Sequence, residues 1–260
     1  MKRKASKISK VTIAIVLTVL ILVISFFGII FALRRYEPEL KEDGFFQYIV
    51  VGKDGPFPLT QKKEVIAIVG FTPLGKQQEV IDFPREIEGK PVQHIGYRNY
   101  STFMDSFYHL ESPNLKKVYI HESIKSVYRE AFSWFAINNQ NLDFMVCASK
   151  SPYLIFSEYY FGTFYVYNSV YNSSSFDEKM FSANIVYMNN YSTEINEGYY
   201  RLDNIEMGEK ISEPPSPERS GYEFTGWFTE PECINTWNFN VSPTIEVNTE
   251  FRLYAGWRAV

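Results

Sequence analysis

The most constraining feature of this 260-residue chain is an uncharged apolar stretch close to its start. Residues 11–33, VTIAIVLTVLILVISFFGIIFAL, contain no charged side chain, and as a helix they would extend roughly 34 Å. Because the hydrocarbon core of a bilayer is about 30 Å thick, this length predicts a transmembrane helix with slight tilt. Five basic residues precede the stretch and only Arg34 and Arg35 follow it, which predicts a cytoplasmic N-terminus.

A cleaved signal peptide is the alternative interpretation of this stretch. Signal peptides have a shorter apolar region, of about 7–15 residues, and end in small residues before the cleavage site. Here the apolar run is longer and ends in Phe31-Ala32-Leu33. We therefore expect an uncleaved, single-pass signal anchor, with residues 1–10 in the cytoplasm and the C-terminal bulk outside the cell. The residues that mark this membrane anchor are Val11, Leu17, Leu22, Phe27 and Leu33.

The charge balance beyond the anchor is acidic. Seven of the 26 basic residues and none of the 30 acidic residues lie at or before Arg35, so the rest of the chain has a net charge of about −11. Proteins that bind nucleic acid need a basic face to replace phosphate counterions. The composition therefore argues against a nucleic-acid partner.

The region from residue 45 to residue 171 is predicted to be a β-rich module. Short segments rich in β-branched and aromatic residues alternate with turn residues. The predicted strands are Phe45–Val51, Glu64–Phe71, Glu79–Phe83, Lys116–Ile120 and Leu142–Val146. Segment 79–96 is echoed by segment 117–132, with Val92-x-x-Ile95 matched by Ile124-x-x-Val127, and a third copy begins at residue 141. The pattern indicates a short, irregular β solenoid.

The repeated segment resembles the BspA-like leucine-rich repeats of bacterial surface proteins, whose pattern is roughly L-K-x-V-x-I-P-x-S-I-x-x-I-G-x-x-A-F. The residues that carry the resemblance are Val118, Ile120, Ile124, Ala131 and Phe132. His121 stands where the pattern has proline, and Tyr128 stands where it has glycine. The resemblance implies two or three coils of a leucine-rich-repeat-like solenoid at a cell surface.

Aromatic residues are concentrated in segment 153–171, YLIFSEYYFGTFYVYNSVY. Exposed tyrosines combine a flat apolar ring with a hydroxyl, which suits binding of a protein or a sugar. Such a surface would consist of Tyr159, Tyr160, Tyr165 and Tyr167. The alternative, which we favour, is that these rings pack across strands and close the end of the repeat stack. The polar segment that follows, 172–182, is predicted to be a linker.

The last 80 residues contain the most specific sequence signal. Two segments carry it: 214–228, PPSPERSGYEFTGWF, and 251–257, FRLYAGW. They resemble the internalin B-repeat, also called the Listeria/Bacteroides repeat, with the signature P-x-R-x-G-Y-x-F-x-G-W-[YF] and a later L-Y-A-x-W. The matching structural residues are Gly221, Tyr222, Phe224, Gly226, Trp227, Leu253, Tyr254 and Trp257. The resemblance implies a small β-grasp-like module of the kind found on bacterial surfaces as a spacer or binding unit.

The final strand is also predicted from periodicity. Between residues 245 and 258, apolar residues occupy odd positions and charged or polar residues occupy even positions, which is typical of a strand with one buried face. Segments 184–188 and 199–204 are predicted as an earlier strand pair of the same module. Gly221 and Gly226 are expected at turns or close backbone approaches, and Trp227 in the core.

No motif for catalysis, metal binding or cofactor binding is present in the sequence. The three histidines, His94, His109 and His121, lack metal-ligand spacing, and each is expected to be a surface residue with a hydrogen bond. Phosphate-loop and nucleophile-elbow motifs are missing as well. Cys147 and Cys233 fall in different predicted modules; a disulfide between them and two free thiols are both compatible with the sequence.

The predicted fold is a β-rich α+β protein in six parts. In order, these are a cytoplasmic tail 1–10, a transmembrane helix 11–33, a juxtamembrane linker 34–44, a leucine-rich-repeat-like module 45–171, a linker 172–182 and an internalin B-repeat-like module 183–260.

The leading hypothesis for function is a non-enzymatic, membrane-anchored bacterial cell-surface protein. It would present its repeat modules for protein or polysaccharide binding, adhesion or spacing. One alternative is a cell-envelope hydrolase acting on wall or carbohydrate material, whose paired carboxylates come together only in the fold. Another is a structural partner within a membrane complex.

Overall fold

The computed structural model describes residues 10–34, 38–52, 63–97, 109–128, 130–148, 162–173, 180–191, 198–246 and 249–260. The elements, in chain order, are α1 (Lys10–Arg34), β1 (Lys41–Asp43), β2 (Phe46–Val51), β3 (Val65–Phe71), a 3-10 turn (Gly75–Gln77), β4 (Val80–Asp82), β5 (Glu86–Ile87), β6 (Lys90–Ile95), β7 (Lys117–His121), β8 (Ser126–Val127), α2 (Ser133–Ile137), β9 (Leu142–Cys147), β10 (Gly162–Val166), α3 (Asn168–Ser173), β11 (Met180–Ser182), β12 (Ile185–Met188), β13 (Tyr199–Asp203), β14 (Tyr222–Phe228) and β15 (Phe251–Ala259).

The N-terminal helix α1 covers the whole apolar stretch. Its described side chains are those of residues 15–28, and all are exposed, including Leu17, Leu22 and Phe27. The side chains of Val11 and Leu33 lie outside the described part of the chain. Within the described ranges, no helix has both the length and the apolar character needed to span a membrane. The transmembrane assignment therefore stays a prediction.

The first sheet is formed by strands in the order β1-β2-β3-β6-β5, with β8 also paired to β6. β1, β2 and β3 form an antiparallel meander, whereas β6 and β8 continue it in parallel. Strand β3, VIAIVGF, is buried on both faces over most of its length, which suits its run of β-branched residues. Because β1 begins at Lys41, part of the predicted juxtamembrane linker belongs to this sheet.

The second sheet is entirely parallel, and its strands lie in sequence order: β4, β7, β9, β10 and β11. The register aligns Ile81 with Val118, Val118 with Phe144, and Phe144 with Phe164. In β4, Ile81 is the buried residue and Val80 is exposed. Apolar residues of the three predicted repeat copies therefore lie side by side in this sheet, with Ile81 as the first of them.

The two sheets enclose one hydrophobic core. Its buried members include Phe46 and Ile66 from the first sheet and Ile120 and Phe144 from the second. Aromatic rings bridge the layers; the Phe46 and Phe83 centroids lie 5.7 Å apart, as one example. The predicted repeat residues Val118, Ile120, Ile124, Ala131 and Phe132 are all buried in this core. We refer to β1–β11 as the first module. Its assignment to the BspA-like family stays a prediction.

The third sheet forms the C-terminal module, with strands in the order β13-β12-β15-β14. β12 and β15 are parallel at its centre, and β13 and β14 are antiparallel at its edges. Both predicted upstream strands are present as β12 and β13. In the described parts of residues 184–260 the structure contains no helix, so the β-grasp-like expectation is met only by the mixed sheet.

The C-terminal module packs directly on the second sheet, with β13 against β9 and β10. This contact explains why Met145 and Cys147 are buried along with Leu142, Phe144 and Val146, although alternation along the strand puts the two groups on opposite faces. Segment 172–182 was predicted to be a linker. Its two ends instead belong to α3 and β11, and β11 extends the second sheet. Residues 174–179 lie outside the described part of the chain.

Candidate functional site

A cluster of charged side chains lies between the second and third sheets. We call it the junction cluster; its members are Asp82, Lys117, Tyr119, His121, Arg201 and Asp203. Strands β4 and β7 contribute the first four from adjacent positions of the parallel sheet, and β13 contributes the other two. Because side chains alternate along a strand, Arg201 and Asp203 project from the same face of β13.

Asp82 is shared between two cationic or hydrogen-bonding partners. His121 Nε2 lies 2.5 Å from Asp82 Oδ1, and the Arg201 guanidinium donates to Asp82 Oδ2. The Arg201 side chain is 9% exposed and the Asp82 side chain is 34% exposed. Burial disfavours the charged carboxylate, but hydrogen bonds and charge from His121 and Arg201 outweigh it and hold the pKa of Asp82 below its usual value.

Asp203 forms the other half of the cluster. Its Oδ1 accepts a hydrogen bond from Lys117 Nζ at 2.7 Å, and its Oδ2 accepts one from the Tyr119 hydroxyl at 2.8 Å. Burial, and then the nearby negative charge of Asp203, raise the pKa of Tyr119 above its usual range, so its hydroxyl stays protonated and donates.

Arg201 connects the two halves. Its guanidinium carbon lies 3.3 Å from the centroid of the Tyr119 ring, in the geometry of a cation–π contact. Burial opposes its charge, but the negative charge of Asp82, with smaller contributions from Cys147, Tyr119 and the hydrogen bond to Asp82, raises the pKa of Arg201 above its usual value. Each carboxylate oxygen in the cluster has a donor, and the donors come from both modules. The arrangement is suited to holding the modules together in one orientation.

A groove of about 580 Å³ opens beside the junction cluster, also between the modules. We call it the inter-module groove. Its lining residues are Arg85, Glu86 and Glu122 from the first module and Asn189, Tyr191, Tyr200, Pro215, Ser216, Pro217 and Glu218 from the C-terminal module. It therefore combines aromatic faces with carboxylates and one guanidinium.

Internal contacts fix the walls of the inter-module groove. The Tyr200 hydroxyl donates to the Pro215 carbonyl at 2.8 Å, which holds segment 215–218 in place. Arg85 Nε lies 3.4 Å from Glu122 Oε1, and its guanidinium carbon lies 5.9 Å from the Tyr200 ring centroid. Flat rings beside hydrogen-bonding side chains are the elements that hold sugars or polar peptides.

The signature residues of the C-terminal module have structural roles. Trp227 is buried at 1% exposure, and its ring lies 5.1 Å from that of Tyr187 and 5.3 Å from that of Phe224. Trp257 Nε1 donates to the Asn189 carbonyl at 2.6 Å. Leu253 is buried and Tyr254 is half-buried. Trp227 and Leu253 therefore belong to the core of this module, and Trp257 connects its last strand to Asn189.

The glycines of the signature serve backbone geometry. Gly221 has a φ of +77° at the turn into β14, and Gly226 has a φ of +134° where the β14–β15 register shifts. Both values are reached easily only by glycine. The motif arginine, Arg219, places its guanidinium carbon 3.7 Å from the Tyr222 ring centroid and 4.4 Å from that of Tyr191. The motif therefore specifies the turn and the aromatic stack beside it.

Residues 184–256 match the family model of the Listeria-Bacteroides repeat domain. The C-terminal module contains this repeat. The match covers β12 through most of β15, so it includes the whole third sheet apart from the last residues of β15. A Listeria-Bacteroides repeat suggests a bacterial surface protein.

The predicted tyrosine surface is only partly supported by the structure. Tyr167 is fully buried and stacks on Tyr199 at 4.1 Å, so it cannot contribute to a binding surface. Tyr165 is half-buried beside Phe181, with ring centroids 6.3 Å apart. Tyr159 and Tyr160 lie outside the described residues. For Tyr167 the alternative is correct: the ring packs inside the core, because burying its apolar surface is more favourable than exposing that surface to water.

The junction cluster was missed by sequence reasoning. His121, at the proline position of the repeat pattern, was expected at the surface but is 4% exposed and bonds to Asp82. The sequence signal for the cluster was the alternation Arg201-Leu202-Asp203 in a strand, which puts opposite charges on one face.

Both thiols are free, Cys147 buried and Cys233 half-buried. Among the described residues, no three His, Cys, Asp or Glu side chains are placed to hold a metal ion.

Proposed function

We propose that this chain is a non-enzymatic, membrane-anchored bacterial cell-surface protein that binds a protein or carbohydrate in the inter-module groove. The observation that carries the proposal is the Listeria-Bacteroides repeat at residues 184–256. Its support from the fold is the hydrogen-bonded contact between that repeat and the first module through the junction cluster. A groove formed across two modules keeps its shape only if the modules are fixed, and this contact provides that.

The anchor is the part of the proposal that rests on the sequence. Helix α1 begins at Lys10 and ends at Arg34, and the 23 residues between 11 and 33 carry no charge. The basic excess before the helix orients the N-terminus toward the cytoplasm. Both modules follow the helix, so they would lie outside the cell.

We further propose that the first module is a short leucine-rich-repeat-like solenoid. Its support is the alignment of repeated positions in both sheets. Ile81 pairs with Val118 in the second sheet, and Ile95 pairs with Val127 in the first. Segment 79–96 and segment 117–132 therefore place equivalent residues side by side, as stacked coils do.

Binding of full-length protein in lipid nanodiscs to an array of bacterial wall polysaccharides, host glycans and matrix proteins tests the function. Glu86 is exposed and lines the inter-module groove, so Glu86→Lys is expected to weaken binding of an array ligand about tenfold. Glu232→Lys makes the same charge change at an exposed position away from the groove and is expected to leave binding unchanged.

Two results would overturn the proposal. One is a wild-type protein that retains none of the array ligands at about 100 µM, a concentration that covers weak surface interactions. The other is release of soluble fragments from wall polysaccharide, which would favour the hydrolase hypothesis.

A further inference from the structure

Strand β11 lies at the edge of the second sheet and borders a second groove. In the strand order β11-β10-β9-β7-β4, the described residues give β11 one strand partner, β10. The groove has a volume of about 520 Å³ and runs along β11 and residues 183–184, opposite residues 245, 246, 249 and 250. We call it the edge groove. An edge strand beside an open groove presents backbone donors and acceptors to any chain that enters.

The register of β11 shows which backbone groups face the edge groove. Ala183 N donates to the Val166 carbonyl at 2.9 Å, so Ala183 directs its backbone groups toward β10. In a parallel ladder, alternate residues direct their N–H and C=O groups to opposite sides of the strand. Ser182 therefore directs its N–H and C=O into the groove, where they can pair with an added strand.

Apolar side chains surround this backbone edge. Phe181 is 48% exposed, Tyr171 is 45% exposed and Met207 is 79% exposed, and all three line the edge groove. The Phe181 ring lies beside the half-buried Tyr165 ring on the neighbouring strand β10, with the two ring centroids 6.3 Å apart. Apolar contacts at this spacing could take alternate side chains of an extended peptide.

Two carboxylates line the edge groove. Among the described residues that line it, the charged ones are Glu246 and Glu250, and none is basic. Glu250 accepts from Arg252 Nη2 at 2.7 Å and from the Asn168 backbone N–H at 3.1 Å, so its role is internal. Glu246 is exposed at the far wall. A peptide entering the groove would gain from basic side chains and lose from acidic ones.

We propose that the edge groove binds an extended basic peptide segment of a partner protein, which adds to the second sheet as a strand beside β11. Backbone pairing at Ser182 supplies the hydrogen bonds, the apolar side chains around Phe181 take alternate residues of the peptide, and Glu246 favours lysine or arginine. The site is separate from the inter-module groove, so it holds or fails independently of the function proposed above.

The test uses full-length protein in lipid nanodiscs and an N-acetylated heptapeptide of alternating lysine and valine. Isothermal titration is expected to give a saturable complex with this probe. The same peptide with N-methyl groups on alternate backbone amides keeps its charge but cannot pair as a strand, and is expected to bind at least about tenfold more weakly. A peptide with glutamate in place of lysine is expected not to bind.

Matched variants locate the site. Ser182→Pro removes the outward N–H from an edge strand, where proline is tolerated, and is expected to weaken binding at least about tenfold; Ser182→Ala keeps the N–H and is expected to bind as wild type does. If Ser182→Pro does not fold, Glu246→Lys serves instead, with an expected loss of about threefold to tenfold.

The proposal is overturned if the lysine–valine peptide does not bind at about 1 mM, or if the N-methylated peptide binds equally well. Equal binding by folded Ser182→Pro and wild type would also overturn it. A concentration-dependent dimer that excludes the peptide would show that a second copy of this chain occupies the edge.

Discussion

Arg201 joins the two halves of the junction cluster. It carries a full charge at 9% side-chain exposure, bonds to Asp82 of β4 and stacks on Tyr119 of β7. Burying a guanidinium costs several kcal/mol unless its partners compensate. Because those partners lie in the first module, the C-terminal module depends on that module to compensate the buried charge on its strand β13.

Removing the guanidinium tests this dependence. Arg201→Met keeps much of the side-chain volume but leaves Asp82 without its ion-pair partner. We expect the free energy of unfolding to fall by about 2–4 kcal/mol, below the top of the range for buried pairs because the Asp82 side chain is 34% exposed. Urea denaturation measures the change.

The double variant Asp82→Asn/Arg201→Met serves as the control for this prediction. It removes both charges, so it should be destabilised by less than the sum of the two single changes. Strict additivity of the single effects would show that Asp82 and Arg201 do not act as a pair.

Acidification provides a second test at the residue scale. The pKa of Asp82 is lowered in the folded protein, so the unfolded chain binds a proton first as pH falls. The stability that Asp82 contributes is present above its unfolded pKa of about 3.9 and is lost as pH falls through the lower folded value.

We expect Asp82→Asn to be less stable than wild type at neutral pH but to lose less stability between about pH 4 and pH 2. Urea midpoints measured across that range give the comparison. Wild-type and variant curves that stay parallel would rule out Asp82 as a source of acid sensitivity.

Strand β15 shows how close packing limits the sequence within one element. A Cβ on Gly256 would collide with the Phe228 ring and lie 2.5 Å from Thr225 Oγ1, whereas a Cβ on Gly221 meets no atom within 4 Å. Gly221 is constrained only by its positive φ. Two glycines of one module are therefore needed for different physical reasons.

Alanine substitution separates these reasons. Gly221→Ala should cost about 1–2 kcal/mol, the price of a left-handed conformation, while Gly256→Ala should cost more because backbone or ring must also move. Thermal unfolding of the two variants gives the ranking. A Gly256→Ala protein as stable as Gly221→Ala would contradict the close approach between β14 and β15.

The strands were largely predictable from the sequence, but their partners were not. Period-two patterns and turn residues located β2, β3, β4, β7, β9, β12 and β13 to within about two residues of the observed bounds. The final strand was predicted to begin near residue 245, but β15 begins at Phe251. The burial of Met145 and Cys147 was not predictable, because it results from β13 packing on β9. Likewise β11 was assigned to a linker, since three residues, Met180–Ser182, carry too little periodicity to indicate a strand.

The junction cluster illustrates the same limit at the site. Its residues are spread from position 82 to position 203, and only the parallel register of β4 and β7 brings Asp82 next to His121. Charged residues of this kind look like solvated surface in a sequence. The Listeria-Bacteroides signature was recognisable, by contrast, because its glycines and tryptophans meet local constraints within β14 and β15.

At the scale of the whole molecule, the three sheets form a layered body in which the second sheet is covered on both faces. Buried residues of the repeat domain and of the first module belong to one core, since Val186 and Leu202 pack in the same cluster as Phe144. This body follows directly after α1. The proposed function requires that α1 anchors this body in the membrane with both modules outside the cell.

Site-directed labelling tests that claim directly. Single cysteines are placed at Glu232, exposed in the C-terminal module, and at Lys4, before the helix, on a background in which Cys233 is serine and Cys147 remains buried. Intact cells are treated with a membrane-impermeant maleimide. We expect position 232 to be labelled in intact cells and position 4 to be labelled only after permeabilisation. Labelling of position 4 but not 232 in intact cells would contradict it.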